Sequence, residues 1–181
     1  MSNRNGILAR LAEILFTALG SDRASRTNTR PRRPVSRLRS TTETHGTDTV
    51  RIDPSSVGDL VIGYAPQRDG APDAGEIIWT WVPYEENDGR GKDRPLLVIG
   101  RQSSDRVYAL RMTSKPHDGR RDFLSIGSGA WDAQGRESWV DIELLYSVHE
   151  TGLRREAAVL DRSRYRRVST ALTGRYGWTA G

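Results

Sequence analysis

Residues 75–101, GEIIWTWVPYEENDGRGKDRPLLVIGR, place the tightest limit on the fold. Glu76 to Val82 alternates well enough for a strand, and Pro83 stops it because proline cannot continue a hydrogen-bonded ladder. A charged, glycine-rich loop follows, with Glu85, Glu86 and Asp88 on its acidic side. Arg94 and Pro95 then open a second apolar run, Leu96 to Ile99, which reads as a buried strand. A chain with this segment at its centre has to be built on short strands.

The rest of the body extends that reading. RVYALRMTSK is a further strand, reached through a polar turn at Ser103-Ser104-Asp105. Leu60 to Ile62, Phe123 to Ile126 and Trp139 to Tyr146 are shorter strand candidates. LDRSRYRRVSTALTGRYGW reads as a closing helix, with Asp161 as its cap and Tyr165, Val168, Ala171 and Leu172 along one side. Short strands, glycine turns and one closing helix predict a mostly β protein with some α, a small antiparallel barrel. Three parts are expected: residues 1–20, 21–50 and a barrel domain over 51–181.

The first two parts differ from the body in composition. Residues 6–19, GILARLAEILFTAL, place Ile7, Leu8, Leu11, Ile14, Leu15 and Leu19 at helical spacing, which predicts an amphipathic helix. Its apolar side suits the chain's own body, a neighbouring subunit, or a membrane surface or partner. Residues 21–50 are poor in apolar side chains and rich in Arg, Ser and Thr, and they read as a disordered basic linker. The first 45 residues hold nine arginines against three acidic residues. They therefore carry more than the whole chain's net +5, and the remainder is close to neutral. A pI near 10 thus belongs to the arm, and nucleic-acid binding by the body has to rest on a local patch.

Several chemistries are excluded or poorly supported. The chain has no cysteine, so it has no disulfide, thiol nucleophile or thiolate metal site. His45, His117 and His149 are too few and too scattered for a persuasive metal centre, so no metal or cofactor is expected. The phosphate-binding GxxxxGK[ST], HExxH and GxSxG patterns are missing. No run of about 18 apolar residues suggests a transmembrane span. Arg10 and Glu13 interrupt the only apolar stretch near the start, so a signal peptide is a poor match, and a cytoplasmic setting is expected.

The order of features over residues 75–178 resembles the PemK/MazF family, the toxin halves of type II toxin–antitoxin pairs. The shared parts are Gly75-Glu76-Ile77, Pro83, the loop glycines Gly89 and Gly91, Arg94-Pro95, Thr113-Ser114 and the closing helix. The tryptophan-rich length is similar to a group of such proteins from actinobacteria. The resemblance implies an SH3-like barrel that dimerises, binds an antitoxin and cuts single-stranded RNA without metal. In that reaction the 2′-hydroxyl attacks the adjacent phosphate and leaves a 2′,3′-cyclic phosphate and a 5′-hydroxyl.

That implied chemistry suits particular residues. A guanidinium can give two hydrogen bonds to a phosphorane, and fixed charge of this kind is often the largest catalytic term. Arg94 is the expected phosphate clamp, with Pro95 restricting the backbone beside it. A bland alternative is a salt bridge from Arg94 to Asp93, Glu85 or Glu86. Thr113 would add a hydroxyl donor with Ser114 beside it. His117 is either a proton shuttle or an ordinary loop histidine. Lys92, Lys115, Arg120 and Arg121 would steer the RNA backbone, or merely solvate loops. Trp81, on the same strand face as Trp79, could stack on a base, although packing in the core or a dimer is the stronger reading.

The sequence also departs from the family pattern. Many members carry Gln-x-Arg in the strand before the last helix, and Leu144 and Tyr146 stand at those positions. This puts substrate choice and activity in doubt. Two non-catalytic readings therefore stand beside the nuclease: an inactive homologue that serves as an interaction module, and a gyrase-binding protein on the same fold.

Overall fold

A computed structural model describes residues 47–67, 70–84 and 89–181. They lie within one compact unit, 42–181. The helix expected over 6–19 and the linker up to residue 46 fall outside the described residues. Residues 47–50, at the end of the expected linker, are part of the folded unit, and Thr49 is buried.

The architecture is antiparallel β with a single C-terminal helix among the described residues. The strands are β1 (Val50–Ile52), β2 (Val61–Ile62), β3 (Glu76–Pro83), β4 (Gly91–Arg101), β5 (Arg106–Thr113), β6 (Phe123–Gly127), β7 (Ser138–His149), β8 (Leu153–Val159) and β9 (Thr179–Ala180). Seven of them form one sheet in the order β1-β7-β5-β4-β3-β8, with β6 also paired to β7. β2 and β9 form a small parallel pair beside it. In sheet order three strands lie between β1 and β3, yet the hydroxyls of Thr49, just before β1, and Thr80 are 2.9 Å apart. Thr80 also donates to the Gly152 carbonyl at 2.7 Å, just before β8. The sheet therefore curls round on itself, as the barrel expectation requires.

Both faces of the central strand are buried, which explains its unbroken apolar run. Leu97 and Ile99 enter a core shared with Ile77, Leu110 and Leu145 and with Tyr165, Val168 and Leu172 of the helix α1 (Arg162–Tyr176). Leu96 and Val98 enter a second core with Ile78, Val107, Ala109 and Tyr146. Asp161 caps α1 by accepting from the amides of Ser163 and Arg164 at 3.1 and 3.0 Å. Gly177 ends it at φ 73°, a left-handed conformation that favours glycine. The Tyr165 hydroxyl donates towards the carbonyls of Gly63 and Ile99, which ties the helix to β4.

Two elements differ from the sequence-based expectation. β4 starts at Gly91, so Arg94 lies inside a strand and not at its mouth. Lys92, Asp93 and Arg94 pair with Val82, Trp81 and Thr80, which extends the ladder into the expected loop. Proline has no amide to offer, and the β4–β5 ladder accordingly begins just after Pro95, at Leu96. The second difference is β8, a strand of charged residues that the apolar pattern does not announce.

Candidate active site

Strand pairing determines which side chains surround Arg94. Leu96 stands opposite Arg111 on β5. Opposite residues share a face, and so do residues two apart on one strand. Arg94 and Arg111 are therefore diagonal neighbours on one face, with Cα atoms about 7–8 Å apart in an ordinary sheet. Both line a pocket of about 420 Å³, together with Arg90, Pro83, Tyr84 and Tyr146. Among the described residues Arg94 has no hydrogen-bond or ion-pair partner. Of the three expected salt-bridge partners, Asp93 pairs with Arg154 at 2.8 Å instead, and Glu85 and Glu86 fall outside the described residues.

Arg111 is anchored and Arg94 is not. The Arg111 Nη2 donates to Asp141 Oδ2 at 2.8 Å, and that carboxylate is only 5% exposed. The other Asp141 oxygen accepts from the Glu143 amide at 3.0 Å. The Arg111 Nε is buried without a partner among the described residues. Tyr146 completes the wall. Burial pushes its phenol above the usual tyrosine range, and Arg111, Arg51 and Arg94 oppose that rise. It remains a neutral hydroxyl at ordinary pH.

A larger cavity of about 750 Å³ adjoins this pocket and shares Pro83, Tyr84 and Tyr146 with it. Its lining includes Trp81, Thr49, Thr80 and Arg51. Trp81 is 54% exposed, the most exposed aromatic among the large exposed hydrophobics. Its indole lies over Gly91, where a Cβ would come within 2.6 Å of the indole nitrogen. The packing expected for Trp81 is thus confined to one edge, and the rest of the ring is open. Trp131, Trp139 and Trp178 are buried instead.

The other expected site residues lie outside the Arg94 pocket. Thr113 ends β5 and its hydroxyl accepts from the Lys115 amide at 3.1 Å. Ser114 follows it at the start of the loop. His117 stacks flat on Phe123, with ring centres 3.6 Å apart. Arg120 donates to Asp122 through Nε at 2.9 Å and Nη2 at 2.5 Å, and that pairing holds the Asp122 carboxyl down at about 2. Lys92 and Arg121 are exposed. Of the two positions that depart from the Gln-x-Arg pattern, Leu144 is buried core and Tyr146 faces the pocket. Arg111 and Asp141 were missed by the sequence reading. Their one signal was a charge inside a mostly apolar strand.

Among the described residues no cluster of three or more His, Asp or Glu side chains could hold a metal ion. No helix among them is long and apolar enough to cross a membrane.

This barrel with an arginine pocket can be set beside known proteins. Residues 73–174, over half of the chain, match the family model described as PemK-like, MazF-like toxin of type II toxin–antitoxin system. The chain belongs to that family. Among solved structures it is similar to MazF in a MazE–MazF complex from Deinococcus radiodurans, at 20% identity and TM-score 0.46, covering 59% of this chain and 96% of that one. It is also similar to a mycobacterial endoribonuclease in complex with its cognate antitoxin, at 16% identity and TM-score 0.45, with the same two coverages. A comparison with curated protein sequences finds no match.

Proposed function

We propose that this toxin-family chain is a metal-independent endoribonuclease that cuts single-stranded RNA, with Arg94 as its phosphate clamp. The observation that carries this reading is Arg94 itself, a cation without a partner among the described residues, in a pocket with two further arginines. A guanidinium with no matching carboxylate beside it, in a pocket rich in arginine, favours an anion. A phosphodiester provides one.

In the proposed reaction the 2′-oxygen bonds to phosphorus and loses its proton to water. The bond to the 5′-oxygen then breaks, and that oxygen takes a proton from water. Arg94 would stabilise the charge on the phosphoryl oxygens between these events. It would not act as the base, since its pKa is above about 12. Trp81 would stack on a neighbouring base, and the cavity beside it has room for one. Thr113, Ser114 and His117 would contact the RNA beyond the pocket, with Lys92, Lys115, Arg120 and Arg121 along the backbone path. The proposed partners are RNA, a cognate antitoxin and a second copy of the chain, and the proposed location is the cytoplasm.

The test is incubation of the purified protein with a long single-stranded RNA in EDTA, beside Arg94→Ala. The expected result is discrete fragments with 5′-hydroxyl ends, reduced about 10²–10³-fold in the variant. A second reading, a non-catalytic binding module, is favoured by the separation of Thr113, Ser114 and His117 from the Arg94 pocket. Intact RNA with both folded proteins would select it.

A further inference from the structure

We propose that Arg111, held in place by Asp141, is a second phosphate-binding residue, and that Arg94 and Arg111 together grip the phosphodiester backbone of a single-stranded nucleic acid. The proposal rests on the reading of the Arg94 pocket as a phosphate site.

Three observations carry it. The first is placement: the β4–β5 register puts both guanidinium groups on one face, and both line the same 420 Å³ pocket. The second is how little of Arg111 its anchor uses. Asp141 takes one hydrogen bond from Nη2, and its other oxygen is occupied by the Glu143 amide. Nη1 has no partner among the described residues, so donors remain for a ligand. The third is charge. Asp141 is committed to Arg111, and no carboxylate among the described residues is paired with Arg94.

The placement of Asp141 follows from an irregularity in β7. Val140 pairs with Met112, but the next pairing is Leu145 with Leu110, so β7 spends five residues where β5 spends two. The extra residues, Asp141 among them, bow out of the ladder beside Arg111. The resulting pair differs from a purely structural one. Arg155 gives both oxygens of Glu76 a hydrogen bond, at 2.8 and 2.7 Å, and donates to the Gln67 carbonyl as well. Arg111 makes a single contact with its carboxylate, and its Nη1 has no partner among the described residues.

Tyr146 marks where an alternative guanidinium would go. It pairs with Ala109, two residues along β5 from Arg111, and faces the same pocket. An arginine at 146 would therefore reach the same space from β7.

The experiment measures binding of a fluorescent, uncleavable 2′-O-methyl RNA single strand by anisotropy across salt concentration. Each phosphate contact contributes about 0.7 to the slope of log affinity against log salt for single strands. Arg111→Gln keeps a donor for Asp141 but removes the charge, and it is expected to lower the slope by about 0.7 and the affinity about tenfold. Arg111→Gln with Tyr146→Arg is expected to recover the slope. Asp141→Asn keeps both cations and frees Arg111, so affinity falls while the slope stays. If Arg111→Gln does not fold, Arg111→Met with Asp141→Asn, which removes both buried charges, is expected to show the same lowered slope.

An unchanged slope and affinity in folded Arg111 variants, with binding lost in Arg94→Ala, would overturn the proposal and leave the Arg94 reading intact. Failure of the unmutated protein to bind the strand at any salt would overturn both. Binding by the unmutated protein without cleavage of ordinary RNA, with the slope lowered in Arg111→Gln, supports this proposal while removing the nuclease reading.

Discussion

At the β3–β8 seam every arginine has an anion. Arg155 Nη2 donates to both oxygens of Glu76, which is 7% exposed, and Arg154 reaches across β3 to Asp93 at 2.8 Å. In the pocket that begins on the neighbouring strand the described residues supply fewer carboxylates. Asp141 serves Arg111, and among the described residues nothing serves Arg94. The same side chain thus does two jobs on one sheet. Where the guanidinium is matched by a carboxylate of the chain, it contributes to the fold. Where it is unmatched among the described residues, as at Arg94, an outside anion would supply the missing charge.

Substitutions can break this contrast. The largest effect is expected from Arg155→Ala, which strands the buried Glu76 carboxylate and should cost about 3–5 kcal/mol of stability by thermal or urea unfolding. Cleavage per folded molecule should stay close to that of the unmutated protein. Arg94→Ala should do the opposite, losing cleavage with no drop in melting temperature, because it breaks no hydrogen bond or ion pair among the described residues. If both variants lost stability equally, the distinction between the two sites would fail. Trp81→Ala comes next: loss of one base stack is expected to weaken RNA binding by about 1–3 kcal/mol, with Trp81→Phe recovering part of it. Titration of the unmutated protein with RNA should quench tryptophan fluorescence through this exposed ring.

The smallest effect concerns Asp122, which is half-buried and paired with the exposed Arg120. Its carboxyl is held at about 2, below an unfolded value near about 3.9. A depressed folded pKa stabilises the fold above the unfolded value, and that contribution is lost as pH falls through the folded one. The stability difference between the unmutated protein and Asp122→Asn should therefore be constant above about pH 5, shrink between about pH 4 and 2, and weaken in salt. A difference that grew on acidification would contradict the pairing.

How much of this could be read from the sequence depended on whether a contact was local. The runs at 76–82 and 96–99 announce strands by their own period, and Asp161 announces the start of α1. Arg94 stood out because it interrupts a pattern. β8 did not, because Leu153-Arg154-Arg155-Glu156 reads as a polar loop until Asp93 and Glu76, far away in sequence, supply its anions. Arg111 was hidden for the same reason: its anchor, Asp141, is 30 residues on and reaches it only through the bow in β7. The loop at 89–93 was misjudged because Gly91 and Lys92 have poor strand preference, and pairing with β3 overrides it.

The double burial of β4 also has a consequence for time. Amide protons exchange with water only when the strand opens, and opening β4 at Leu96–Ile99 would disrupt both cores at once. Those four amides should be among the slowest in the molecule to exchange, close to the rate of global unfolding. Arg94 is two residues from that stretch, on the part of β4 that only β3 holds. The phosphate-facing arginine is therefore tethered to the slowest clock in the protein while its own backbone runs on a faster one, and RNA binding should slow the exchange of residues 92–94 far more than that of 96–99.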